Sequence, residues 1–117
     1  MTLTTLVLGS TAATREAAIA AHLIPDIDTA FILEGLPAGI SPLDSISSAQ
    51  AAVRIAPGCL CCTGNLTMRI TLNRILRKRP ARLYIGLATP EHLERIRHFL
   101  VQAPYDTLLQ LTQDLHA

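Results

Sequence analysis

Cys59, Cys61 and Cys62 are the only three cysteines of the chain, and they fall together in Gly58-Cys59-Leu60-Cys61-Cys62. In an extended or turning backbone, Cys59 and Cys61 point to the same side, and a curl of the chain brings Cys62 to join them. Three thiolates about 2.3 Å from a shared ion make a trigonal or open tetrahedral cage, which suits zinc or cuprous copper. Gly58 and Gly64 give the backbone freedom on either side. Residues 65 to 78 have helical character, which would set the thiols near a helix N-terminus, where the dipole favours the thiolate.

Two other readings of the same residues stand beside metal binding. Free cysteine packs readily into apolar cores. A redox pair of Cys59 with Cys61 or Cys62 is also chemically available, although the spacing is not C-x-x-C. A disulfide scaffold fits poorly, because the count is odd and adjacent cysteines rarely bridge each other.

The elements that must position these thiols come from a chain of 117 residues, expected to form a single domain over 1–117. Half of the residues are hydrophobic and only 3% are aromatic, so the core must be aliphatic. A net charge of +1 predicts no general affinity for nucleic acid or for an acidic membrane. The first residues lack a basic segment ahead of an apolar run, and His22, Pro25 and Asp26 interrupt the best apolar stretch. With reduced cysteines, these features predict a cytoplasmic protein. Arg69, Arg74, Arg77, Lys78, Arg79 and Arg82 are six of the ten basic residues. Arg77, Lys78 and Arg79 stand directly before Pro80, which predicts a solvated helix end where cations complement the dipole.

The apolar patterns predict strands at Thr4–Leu8, Thr29–Leu33, Ala52–Ala56 and Arg82–Ala88. Helices are expected over Glu16–Leu23, after a cap at Asn65, after the Thr89-Pro90 start, and over residues 105 to 115. In the helix after Asn65, the spacing puts Leu66, Ile70, Ile75 and Leu76 on one apolar face. Gly35 to Gly39 reads as loop, and residues 41 to 50 as a helical turn. Strands alternating with helices predict an α/β fold with a mostly parallel sheet and flanking helices, a truncated P-loop-NTPase-like layer architecture.

The stretch Ile55-Ala56-Pro57-Gly58-Cys59-Leu60-Cys61-Cys62-Thr63-Gly64-Asn65-Leu66 resembles the signature of CobW-type GTPases, P-loop metal chaperones that carry a C-x-C-C metal motif. Arg79-Pro80-Ala81-Arg82-Leu83-Tyr84-Ile85 is similar to that family's next strand. Leu33-Glu34-Gly35 resembles its Asn-Glu-aromatic-Gly segment, which implies that Glu34 completes a three-sulfur metal site. A lone loop glutamate is otherwise expected to be solvated.

The nucleotide motifs of that family are degenerate here. A P-loop reads G-x-x-x-x-G-K-[ST], and counting from Gly9 places Thr14, Arg15 and Glu16 at its last three positions. Gly9 and Arg15 are what remain of a phosphate cradle. Gly86 stands where the family has an acidic residue, and no N-K-x-D motif occurs. His22 is expected at a helix end, His92 and His98 are not spaced as a metal pair, and His116 is expected to be mobile.

The expected function is therefore metal binding, with zinc as the ion, at Cys59, Cys61 and Cys62, without competent GTP hydrolysis and without catalytic residues. The expected partners are the ion and either a metal-receiving protein or further subunits. The alternatives are a regulatory or scaffold subunit that pairs with a complete GTPase, and a residual GTP-binding protein.

Overall fold

The computed structural model describes residues 2–23, 27–35, 51–55 and 66–117. They form strands β1 (Thr2–Leu8), β2 (Thr29–Glu34), β3 (Ala51–Ile55), β4 (Arg82–Leu87), β5 (Leu109–Leu111) and β6 (Leu115–His116). Four helices accompany them: α1 (Ala12–His22), α2 (Leu66–Arg77), α3 (Pro90–Leu100) and the single turn α4 (Tyr105–Leu108). The sheet order is β3-β2-β4-β1-β5, with β6 pairing further along β1, and every pairing is parallel. The α/β fold with a parallel sheet and flanking helices is thus the one the patterns predict.

A parallel sheet covered on both faces needs strands that are apolar on both sides, and β2, with all six residues buried, is such a strand. Alternation divides the core in two. Val7, Phe31, Leu33 and Tyr84 pack under α1 around Ile19. Leu6, Ala30, Ile32, Leu83, Ile85 and Leu87 face the opposite way, against Met68, Leu72 and Ile75 of α2 and Leu93, Ile96 and Leu100 of α3. Burying each such side chain is worth about 1.5–3 kcal/mol, so the two clusters together outweigh any polar contact at the surface.

Helix ends follow their local chemistry. Thr89 accepts a hydrogen bond from the backbone N–H of His92 at 3.1 Å, and Pro90 opens α3. At the end of α2, Arg79 takes a positive φ of 51°, and the N–H groups of Lys78 and Arg79 return to the carbonyls of Ile75 and Leu76. Arg74, Arg77, Lys78 and Arg79 are exposed there, as expected of a solvated basic helix end.

Three expectations need correction. Ile70 does not join the apolar face of α2: it is 52% exposed, and the buried stripe runs through Met68, Leu72, Ile75 and Leu76, at intervals of four, three and one. Residues 105 to 115 are not one helix. A single turn gives way to β5 and, after residues 112–114, to β6, because the edge of β1 offers unpaired backbone groups that a short helix could not satisfy. His116 is not a loose end, since it pairs in register with Leu8. The expected turn at 41–50, the cap at Asn65, the Pro57-Gly58 turn and most of the 35–39 loop lie outside the described residues. Gly35 itself has φ 81°, a backbone geometry that suits glycine as the chain leaves β2.

Candidate functional site

β1 and β4 are neighbours, yet the helices that follow them pack on opposite faces: α1 on one, α3 on the other. The carboxyl ends of two such strands diverge into a crevice, the usual ligand position in open α/β sheets. Gly9, Arg15, Glu34, Gly86, Ala88 and His92 gather at this end.

On the β1 side, only Gly9, Ser10 and Thr11 separate the strand from α1. Thr11 caps the helix, accepting from the Thr14 N–H at 3.1 Å, while the Thr14 hydroxyl accepts from the Thr11 N–H at 3.1 Å. Thr14, Arg15 and Glu16 therefore lie inside α1, and residues 9–16 do not form an eight-residue phosphate loop. Arg15, 5% exposed, folds back over the turn. Its Nη1 donates to the Gly9 carbonyl at 2.8 Å and its Nη2 to the Glu34 carbonyl at 2.9 Å. Burial draws the guanidinium below the usual arginine range, against the opposing attraction of Glu34 and then of Glu16.

Gly86 makes room for this arrangement. It sits between Val7 and Leu33 in the sheet, on the α1 face, and a Cβ there would lie 4.0 Å from Arg15 Nε and 3.5 Å from Leu33 Cδ2. Gly9 is tighter: an added Cβ would stand 2.9 Å from both the Arg15 Cγ and the Ala117 Cβ.

On the β4 side, Glu34 ends β2 with 2% exposure, so the default of a solvated loop carboxylate does not hold. The alternation that sends Ala30 and Ile32 toward α2 and α3 sends the Glu34 carboxylate there too. Its Oε1 accepts from the Ala88 N–H at 2.8 Å and lies 3.0 Å from His92 Nδ1. Its Oε2 lies 2.8 Å from the same nitrogen, at an angle too poor for a hydrogen bond. The carboxylate thus occupies the N-terminal end of α3, where the helix dipole favours an anion.

The expected site residues are placed as follows. Gly9, Arg15 and Glu34 are brought together, with Arg15 bound to backbone carbonyls. Cys59, Cys61 and Cys62 lie outside the described residues. Among the described residues, no group of three or more metal-ligating side chains occurs. His92 is the residue that sequence reasoning passed over: its partner is 58 positions away, and only its place three residues after the Thr89 cap marks it as held near a strand end.

Other hollows lie elsewhere. One of about 400 Å³ sits at the opposite end of the sheet beside Thr2, Arg79 and Pro80, and a second of similar size lies between α2 and α3 beside Asn73, Phe99 and Tyr105. Among the described residues, no helix is long and apolar enough to cross a membrane.

The fold and site define a class, an α/β chain with polar residues gathered at the switch point of its parallel sheet. No protein family, no curated protein and no solved structure matches it.

Proposed function

We propose that this chain is a metal-binding protein, a short relative of CobW-type metallochaperones, that holds zinc on Cys59, Cys61 and Cys62 and does not hydrolyse GTP. The reading rests on the thiol cluster, and one structural relationship supports it above others. Ile55, four residues before Cys59 in the sequence, is the register partner of Glu34, so β3 ends level with the strand end where Glu34 and His92 stand. Thiols, carboxylates and imidazoles are ligands for a borderline metal and offer little to a polyphosphate.

The crevice also supports the absence of phosphate chemistry. A bound triphosphate needs free backbone N–H groups and an uncommitted cation. Here the first turn of α1 is closed by Thr11 and Thr14, Arg15 is spent on two carbonyls, and a carboxylate occupies the start of α3. The protein is accordingly a carrier, in which the ion is cargo and a receiving protein is the partner.

Metal content of reduced, purified protein, measured by mass spectrometry beside a variant with Cys→Ser at positions 59, 61 and 62, tests the reading. About one zinc per chain that disappears in the variant supports it. Absence of metal from both, after anaerobic reconstitution, overturns it.

A further inference from the structure

We propose that the hollow between α2 and α3 binds a small aromatic carboxylate, with Arg69 and Asn73 receiving the carboxylate and Phe99 and Tyr105 receiving the ring. This site shares no residue with the crevice at the strand ends and uses none of the cysteines, so it stands whether or not the chain carries metal.

The hollow holds about 400 Å³, within the range of small-molecule sites. Its aromatic wall is a pair of rings: Phe99 and Tyr105 lie with their centroids 4.9 Å apart and their planes tilted by 45°. Rings set at such an angle can offer a flat ligand both a face and an edge. Tyr105 is buried and its hydroxyl donates to Asn73 Oδ1 at 3.0 Å, which fixes that ring in place. Phe99 is half-buried and lines the hollow with it.

The second wall supplies hydrogen-bond donors. Arg69 and Asn73 are four residues apart on α2 and so share a face. Arg69 is exposed, and its guanidinium carbon stands 5.8 Å from the Phe99 centroid, a contact with the π-system that leaves N–H groups for a ligand. Among the described residues no carboxylate pairs with Arg69, whereas Arg95 and Arg97 of α3 are both paired. The Tyr105 hydroxyl takes Asn73 Oδ1, which orients the amide and leaves Nδ2, without a partner among the described residues, as the group for a ligand. Burial raises the Tyr105 phenol and Arg69 opposes the rise, so the field of the guanidinium reaches that ring as well. None of the described lining residues is acidic, so a single uncompensated cation faces the two rings. One guanidinium fork beside one amide matches a carboxylate in shape and charge, whereas a phosphate chain needs a nest of N–H groups that this wall does not offer. The ligand that satisfies both walls is flat, apolar and anionic at one end.

The test titrates naphthoate into the intact, reduced protein and follows side-chain proton–carbon and proton–nitrogen spectra, beside the neutral analogue naphthamide and the ringless acetate. Naphthoate should shift the ring signals of Phe99 and Tyr105 and the Nε–H of Arg69, with naphthamide and acetate each at least about 10-fold weaker. Arg69→Gln, at an exposed position, should lower naphthoate affinity about 10- to 100-fold and leave naphthamide affinity unchanged, a selective loss that unfolding would not produce. Phe99→Leu should weaken both aromatic probes. Shifts confined to other residues, equal affinity for acid and amide, indifference to Arg69→Gln, or no binding of naphthoate would each overturn the proposal.

Discussion

Arg15 and Glu34 meet through the backbone and not as an ion pair: the guanidinium Nη2 donates to the Glu34 carbonyl oxygen at 2.9 Å, while the Glu34 carboxylate turns to Ala88 and His92. One residue thus separates the two halves of the crevice. Its carbonyl closes the β1 side and its side chain organises the α3 side.

Removing Arg15 should cost stability more than it changes binding. Arg15→Ala leaves the Gly9 and Glu34 carbonyls without the donor they share, and buried polar groups stripped of a partner cost about 1–3 kcal/mol each. A loss of about 2–4 kcal/mol in urea unfolding is expected, with Arg15→Lys intermediate because an ammonium cannot span both carbonyls in a planar fork. A variant as stable as the wild type would refute the clamp.

The two glycines of the crevice should respond differently to the same change. Gly9→Ala forces a methyl to within 2.9 Å of Ala117 Cβ and Arg15 Cγ, and about 1–3 kcal/mol of overpacking is expected. Its signature is faster hydrogen exchange at the Ala117 amide, which donates to the Leu8 carbonyl at 2.7 Å. Gly86→Ala meets only ordinary contact distances and should stay within about 0.5 kcal/mol of the wild type. Equal effects in thermal unfolding would contradict this contrast.

Tyr105 should give the fold an alkaline weakness. Burial raises its phenol above the ordinary value of 10.0, with Arg69 opposing, and its hydroxyl donates to Asn73 Oδ1 at 3.0 Å. Because the folded value lies above the unfolded one, the stabilisation is complete below pH 10.0 and declines as pH rises from there through the folded value. Tyr105→Phe should lose about 1 kcal/mol at neutral pH and show a flatter alkaline decline. Parallel decline in both proteins, followed by denaturant midpoints, would assign the alkaline loss to other groups.

Zinc retention should fall as the solution is acidified, because each thiolate ligand must lose a proton to bind. Chelator competition across a pH series should show a steep dependence in the wild type and a shallower one in Cys61→Ser. Affinity independent of pH would argue against thiolate ligation.

Much of the fold was legible because its signals are local. The apolar runs of β1, β2 and β4, the Thr89-Pro90 start of α3 and the basic end of α2 each follow from a few neighbouring residues. The short edge strands were not legible: three residues at Leu109–Leu111 and two at Leu115–His116 carry no periodicity, and only the open side of β1 makes them strands. Ile70 was misplaced for a related reason. Spacing allows more than one apolar stripe on α2, and the sheet beneath selects Met68 and Leu72.

The sequence by itself determined the α/β class, the thiol cluster and the absence of a G-x-x-x-x-G-K-[ST] motif, since composition, alternation and motif spacing are properties of the chain read in order. Only the tertiary structure decided that Glu34 is buried, that Arg15 folds onto its carbonyl, and that His92 is its partner. The physical reason is the crossover order of a parallel sheet: β4 is inserted between β1 and β2, so the residues that meet at the crevice come from segments up to 58 positions apart, and no local pattern records which strand ends become neighbours.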